Sequence, residues 1–146
     1  MNNRRDQWTS LGLLILRVGI CVFMINHGYG KFQMVQAGEF DKFPDPWNML
    51  GNKWSLVLAM TAEFICPMLI AIGFLTRLAV IPPIIAMGTA AFMVHTNDPW
   101  FMSGPGPSKE PALLFLIPFL ALFFTGAGRY SIDGLIWRPR SEFGPM

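Results

Sequence analysis

The sequence predicts an all-α integral membrane four-helix bundle with both termini in the cytoplasm. Of its 146 residues, 53% are hydrophobic and only 14% are charged, which is too apolar for an ordinary soluble domain. The apolar residues gather into four runs, and a helix needs about 20 residues to cross roughly 30 Å of hydrocarbon. Because the chain is too short for several domains, we expect a single membrane domain over residues 1–146.

The predicted membrane helices are residues 11–30, 54–75, 78–96 and 112–126. Only Thr76 and Arg77 separate the second from the third, so these two helices are expected to be antiparallel neighbours. Residues 32–53 and 97–110 form the predicted outer loops. The first loop mixes aromatic rings, prolines and charges, a composition that suits the membrane surface.

The basic residues indicate the orientation. With cytoplasmic termini, six arginines near the helix ends lie inside and four lysines lie outside, a moderate bias in the direction of the positive-inside rule. These arginines are Arg4, Arg5, Arg77, Arg129, Arg138 and Arg140, and these lysines are Lys31, Lys42, Lys53 and Lys109. We expect a multi-pass protein of a bacterial inner (plasma) membrane whose N-terminus is a retained signal anchor, because Arg17 interrupts the apolar run.

The composition also bounds the partners. A net charge of +2, with no basic run among aromatic residues, argues against a nucleic-acid partner. We expect membrane lipid and either a partner protein or a second copy of the chain. Cys21 and Cys66 both fall in apolar runs with no disulfide or zinc spacing, so inert buried thiols are expected, with a redox pair as the alternative.

Arg17 stands inside the first predicted span. A guanidinium stays charged, and placing it in hydrocarbon costs between about 3 and 15 kcal/mol, so another group must compensate it. Glu63, in the second helix, is the nearest candidate anion along the membrane normal. The depth difference of about 9 Å is within the combined reach of two extended side chains. We therefore expect an Arg17–Glu63 ion pair, which either locks the helices together or serves the chemistry.

Three further polar groups gather toward the outer face. A rise of about 1.5 Å per residue places Glu63, His27 and His95 roughly 18, 24 and 26 Å from the cytoplasmic side. These three are the candidate catalytic residues. Arg17, His27, Lys31 and His95 are the candidate ligand-binding residues, since Arg17 and Lys31 share one stripe of the first helix with His27 at its edge.

Several chemistries fit these residues. Histidine and glutamate can hydrogen-bond a quinone and relay its protons. His27, Glu63 and His95 would also suit iron, copper or zinc, and two facing histidines suit haem. Alternatively, each histidine only caps a helix end at the wet interface. No spacing is diagnostic, so these alternatives stay open.

Five features together resemble the DoxX family. They are Arg17, the run His-Gly-Tyr-Gly-Lys at 27–31, Glu63, the run Gly-Phe-Leu-Thr-Arg at 73–77, and the tail at 126–133. The resemblance covers residues 11–133 and implies a four-helix membrane protein. Some members or relatives are described as the membrane subunit of thiosulfate:quinone oxidoreductase or as parts of membrane redox complexes. It therefore implies quinone-linked redox chemistry, with sulfur compounds and a partner subunit.

Other functions remain open, including whether the protein is an enzyme. One is a non-enzymatic membrane adaptor or assembly factor whose aromatic loop, residues 40–54, docks a partner. The outer loop that contains most of it, residues 32–53, is longer than we expect of compact DoxX-like proteins. Another is a small-solute transporter, although no inverted repeat or pair of broken half-helices is visible. The tail is expected to anchor the protein structurally, with Asp133 pairing with Arg129 or Arg77.

Overall fold

A computed structural model of the protein describes residues 3–137. This part of the chain is all-helical and contains no β-strand, as predicted. The helices are α1 (Asn3–Ala37), α2 (Asn52–Ile72), α3 (Thr76–Val94), α4 (Glu110–Thr125) and a short α5 (Ile132–Ile136). A 3₁₀ turn at Phe40–Lys42 lies in the loop between α1 and α2.

Helices α1, α2 and α3 are long and apolar enough to cross a membrane. Helix α4 is apolar but has 16 residues, a length of about 24 Å against roughly 30 Å of hydrocarbon. The protein is a membrane protein with three to four helices that could span. A fourth crossing by α4 and the cytoplasmic placement of the termini stay predictions. Arg138 and Arg140 are two of the arginines from which the orientation is predicted, and they lie outside the described residues.

Helix α1 extends beyond its predicted span at both ends. It begins at Asn3 and continues to Ala37, so the outer loop starts at Gly38 instead of residue 32. Hydropathy locates the part of a helix that lies in hydrocarbon, whereas the helix itself continues until a residue stops it. Gly38 does so with φ of +71°, the left-handed conformation common just after a helix.

The long helices alternate in direction, so the bundle has two ends. We call the end with residues 73–75 and 126–131 the turn end, and the end with loops 38–51 and 95–109 the loop end. Between them, all four long helices contribute to the apolar core, which includes Cys21, Met24, Ile70, Val80, Met87, Ala91, Phe119 and Leu122. Cys21 and Cys66 are both buried free thiols.

Arg17 is buried at the turn end, where only 1% of the residue is exposed. Its guanidinium donates hydrogen bonds to the carbonyl oxygens of Ala71 at 3.2 Å, Ala127 at 2.5 Å and Tyr130 at 2.7 Å. Carbonyls at helix C-termini lack partners within the helix and carry the negative end of its dipole, so they suit a cation. Arg17 thus joins α1 to the last turn of α2 and to the segment after α4.

The predicted ion pair between Arg17 and Glu63 is wrong. Side chains on a helix lean toward its N-terminus, so Arg17 points toward the turn end, whereas Glu63 contributes to the opposite end of the bundle. Carbonyl oxygens take the place of the expected carboxylate.

Asp133 closes the turn end from the other side. Its carboxylate accepts hydrogen bonds from the backbone N–H groups of Leu75 at 2.7 Å and Thr76 at 2.8 Å, and its own N–H donates to the Gly73 carbonyl at 2.8 Å. The carboxylate therefore caps the start of α3, where N–H groups have no partner within the helix. The predicted pairing of Asp133 with Arg129 or Arg77 is wrong, because backbone donors occupy both oxygens.

Gly73 allows these groups to meet. It has φ of +73°, and a Cβ atom there would lie 2.8 Å from Nη1 of Arg17 and closer still to Ser131. Only glycine fits without displacing the guanidinium. The runs at 73–77 and 126–133 are therefore two halves of one structural unit built around Arg17.

We expect Arg17→Lys to lower the free energy of unfolding by about 3 kcal/mol, because one ammonium group cannot reach three carbonyls in different directions and leaves buried acceptors unpaired. Thermal unfolding in mild detergent measures the change. The matched control is Arg4→Lys on the exposed start of α1, which should change stability by less than about 0.5 kcal/mol. Equal stability of Arg17→Lys and the wild-type protein would contradict this account.

Candidate functional site

A cavity of about 770 Å³ lies among the helices at the loop end. All four long helices and both loops contribute to its walls, which are mainly apolar. Four of the predicted site residues line it: His27, Lys31, Glu63 and His95. Arg17, the fifth, lies at the turn end and does not line it. We call this space the loop-end cavity.

Glu63 reaches the cavity from a π-helical turn of α2, Thr61–Ile65. Such a turn inserts one residue into an α-helix and is frequent at functional sites. Pro67, four residues after Glu63, has no N–H group for the Glu63 carbonyl, which favours a departure from regular α-helix here. The Glu63 side chain is only 6% exposed, so its charge requires a partner.

Lys31 is that partner, and it forms an ion pair with Glu63. His27 lies beside the pair, with Nε2 at 3.6 Å from Oε2 of Glu63, which is too long for a hydrogen bond. His27 and Lys31 are four residues apart and therefore share one face of α1. That spacing was the signal that could have identified Lys31 as the counter-ion.

Gly28 lets α1 approach α2 beside this pair. A Cβ atom at Gly28 would lie 2.9 Å from the backbone nitrogen of Phe64 and closer still to the Glu63 carbonyl. Real Cβ atoms do not approach backbone so closely, so any larger residue would push the helices apart. Gly30 has no such neighbour, since a Cβ atom there would meet nothing within 4 Å.

We expect Gly28→Ala to destabilise the protein by about 2 kcal/mol or more and to disturb the Lys31–Glu63 pair, because the added methyl group clashes with backbone. Gly30→Ala on the same helix is the matched control and should be neutral or stabilising by up to about 1 kcal/mol. Unfolding in detergent measures both variants. If the two alanines behaved alike, the close approach of α1 and α2 would be refuted.

His95 lies on the other side of the cavity, directly after a second π-helical turn, Ala90–Val94, in α3. Its Nδ1 is 2.7 Å from Oδ2 of Asp98, and the backbone N–H of Asp98 donates to the His95 carbonyl at 3.1 Å. An ionised carboxylate can only accept, so Nδ1 carries the proton. Asp98 was not predicted as a site residue, although its spacing of three residues from His95 was a usable signal.

Asp45 organises the loop that covers the cavity. Its carboxylate accepts hydrogen bonds from the backbone N–H groups of Trp47 at 3.2 Å, Leu50 at 3.0 Å and Gly51 at 2.8 Å, and from the Ser55 hydroxyl at 2.8 Å. Desolvation raises the pKa of Asp45, but these hydrogen bonds outweigh it, so that the pKa lies below its ordinary value. Trp47 and Leu50 line the cavity, so Asp45 shapes one of its walls.

Because the pKa of Asp45 is lower in the folded loop than its ordinary value of 3.8, its contribution to loop stability is complete above that value. The contribution is lost as pH falls through the lower, folded pKa. We therefore expect the NMR signals of the Leu50 and Gly51 amide protons, which donate to this carboxylate, to keep their positions down to about pH 4 and to shift below it.

The variant Asp45→Ala lacks the carboxylate and should show shifted Leu50 and Gly51 amide signals at every pH. Asp41→Ala, which removes an exposed carboxylate from the same loop, should titrate like the wild-type protein. Unshifted Leu50 and Gly51 signals in Asp45→Ala at neutral pH would show that the loop does not depend on this residue.

Residues 3–137 contain no group of three or more His, Cys, Asp or Glu side chains that could hold a metal ion. The three-ligand set of His27, Glu63 and His95 is therefore not assembled in this conformation. Metal and haem binding stay predictions.

A second cavity, of about 340 Å³, lies at the turn end beside Arg77 and Asp133. Its main charged groups already serve the backbone: Asp133 caps α3, and Arg77 donates to the Phe124 carbonyl at 3.2 Å. The loop-end cavity is larger and gathers the histidines and the ion pair, so it is the candidate site.

Comparison with known proteins identifies the family of this chain. The DoxX family model matches residues 12–96, more than half of the chain. The chain belongs to the DoxX family. The matched region of this DoxX protein contains α2, α3 and most of α1, and with them Arg17, His27, Lys31, Glu63 and His95.

Two relatives of this DoxX protein come from Haemophilus influenzae, and both are uncharacterized proteins. One is 31% identical over 130 residues, which cover 88% of this chain and 85% of the relative. The other is 27% identical over 142 residues, which cover 93% of this chain and 98% of the relative. No solved structure matches the chain significantly.

Proposed function

We propose that this DoxX protein binds a quinone in the loop-end cavity and takes part in quinone-linked redox chemistry in the inner membrane. One observation carries the proposal: the Lys31–Glu63 pair and both histidines line a single, mainly apolar cavity. Its volume of about 770 Å³ falls in the range of small-molecule sites, roughly 300 to 1,000 Å³. Apolar walls with a few polar groups suit a flat ring whose edge carries oxygen atoms.

The residues of the cavity can supply what such a ligand requires. A quinone takes up two electrons and two protons when it is reduced. An imidazole ring can donate or accept a proton, and the cavity contains two of them, His27 and His95. Glu63 lies 3.6 Å from His27, close enough to exchange a proton with it after a small movement. Lys31 forms an ion pair with Glu63 beside this histidine. Arg17 does not line the cavity and contributes only by stabilising the fold.

The compound that supplies electrons to the quinone is proposed from the resemblance to the DoxX family alone. Sulfur compounds such as thiosulfate, oxidised with the help of a partner subunit, fit the DoxX resemblance. In this proposal the present chain is the quinone-binding membrane component. The partner would carry the site for the sulfur compound.

We expect the protein purified in mild detergent to bind about one quinone per chain. His27→Ala and Glu63→Gln should weaken binding roughly 10-fold to 100-fold, because each removes a polar group worth about 1.5 to 3 kcal/mol. Quinone extraction and titration with a short-chain quinone measure this. Glu39→Gln, which alters a more exposed carboxylate paired with Lys42 at the same end, is the matched control and should bind normally.

The variants must first unfold at a temperature similar to that of the wild-type protein, because Glu63→Gln leaves Lys31 without its anion. Binding that is unchanged in both variants would remove these residues from the site. A wild-type protein that takes up no quinone at all would overturn the proposed function.

A membrane adaptor is the second candidate, and one observation favours it. Trp47, Met49 and Leu50 form an apolar tip on the loop, and Met49 is 83% exposed. Such a tip would be covered by lipid headgroups or by a partner protein. A stoichiometric partner that is lost in Met49→Ser, together with a quinone-free protein, would favour this function over quinone binding.

A further inference from the structure

We propose that Asp98 is a positioning residue for His95, fixing its proton on Nδ1 so that Nε2 accepts a hydrogen bond from the hydroxyl group of a hydroquinone in the loop-end cavity. This inference rests on the proposed function and extends it, because it names the reduced ring as the form that His95 recognises. Asp98 itself touches no ligand in this proposal, since it is not among the residues that line the cavity.

The geometry of the pair supports this role. The distance of 2.7 Å between Nδ1 and Oδ2 is that of a strong, charge-assisted hydrogen bond. The two side chains are 30% and 29% exposed, so the pair is partly shielded from solvent. The backbone bond from Asp98 to the His95 carbonyl, at 3.1 Å, closes a turn that brings the carboxylate back to the ring. Nε2 is then the ring nitrogen left for a ligand.

The neighbouring charged side chains have partners other than His95 and Asp98. Lys109 donates to the Thr96 carbonyl at 3.0 Å and lies 4.7 Å from the centre of the Trp100 ring. Elsewhere along the cavity wall, the charges of Lys31 and Glu63 compensate each other, with His27 beside them. Within the described residues, Asp98 is therefore the carboxylate that contacts His95 and determines which ring nitrogen carries the proton.

The resulting tautomer discriminates between two oxidation states of one ring. A neutral imidazole with its proton on Nδ1 presents a lone pair on Nε2 and can only accept there. A hydroquinone hydroxyl donates a hydrogen bond, whereas a quinone carbonyl can only accept one. The site should therefore hold the reduced ring more tightly than the oxidised ring through His95.

The test compares durohydroquinone with duroquinone, which differ only by the two hydrogen atoms on their oxygens. Both are titrated anaerobically into the full-length protein in detergent at pH 8, above the ordinary imidazole pKa of about 6.5, and quenching of tryptophan fluorescence is followed. We expect Asp98→Ala to weaken durohydroquinone binding about tenfold and duroquinone binding less than about twofold.

Two further variants separate positioning from folding. Asp98→Asn keeps an oxygen that can accept from Nδ1 and should recover most of the durohydroquinone affinity. Asp41→Ala removes an exposed carboxylate from the other loop and should bind both ligands like the wild-type protein. Equal weakening of the two ligands by Asp98→Ala would reduce Asp98 to a structural role and overturn the inference.

A second measurement needs no ligand. The chain has only two histidines, so the ¹⁵N signals of His95 can be assigned by comparison with His27→Ala. The wild-type protein should show a protonated Nδ1 and an unprotonated Nε2 on His95, and Asp98→Ala should shift His95 toward the other tautomer. An unchanged tautomer would overturn the inference.

The two proposals can fail separately. If the wild-type protein binds neither ring, the proposed function falls and this inference falls with it. If the wild-type protein binds both rings and Asp98→Ala binds them unaltered, only the inference about Asp98 falls.

Discussion

The guanidinium of Arg17 needs acceptors on several sides, and the turn end of the bundle is the arrangement that supplies them. In lipid, apolar side chains gain little by turning toward one another, because the surrounding tails are equally apolar. Polar contacts and close packing therefore decide how the helices assemble. The three carbonyls that Arg17 reaches lie at 71, 127 and 130, so a single side chain on α1 fixes the ends of two other helices. Gly73 leaves room for the guanidinium, and Asp133 closes the same end of the bundle by capping α3.

The loop end compensates its buried charge in a different way. There the charge of Glu63 is met by Lys31, a side chain on the same face of α1 as His27, and the helices separate enough to leave a cavity. Gly28 holds α1 and α2 in backbone contact beside the pair, while the loop organised by Asp45 covers part of the space. At the turn end, the buried charge of Arg17 thus joins the helices. At the loop end, the charges of Lys31 and Glu63 lie beside the cavity.

Much of this organisation could be predicted from the sequence, because hydropathy and the rise of a helix determine depth. They place His27, Lys31, Glu63 and His95 toward one end of the bundle. The partner of Arg17 could not be predicted, because every residue carries a carbonyl and only the packed helix ends show which ones are free. The role of Asp98 depends on where α3 ends, and the wall formed by Trp47 depends on hydrogen bonds within a loop. Neither the end of α3 nor the hydrogen bonds of the loop produce a periodic pattern in the sequence.

Each π-helical turn inserts one residue into its helix, at Thr61–Ile65 in α2 and at Ala90–Val94 in α3. The inserted residue shifts the side chains on one side of the turn by about 100° relative to a regular α-helix. In α2 the turn, which contains Glu63, lies between the part toward Asn52 and the part whose Ala71 carbonyl accepts from Arg17. Loss of a single residue from that turn would rotate one half of α2 against the other. The orientation of Glu63 and the anchoring of the helix are thus separable properties of one continuous helix.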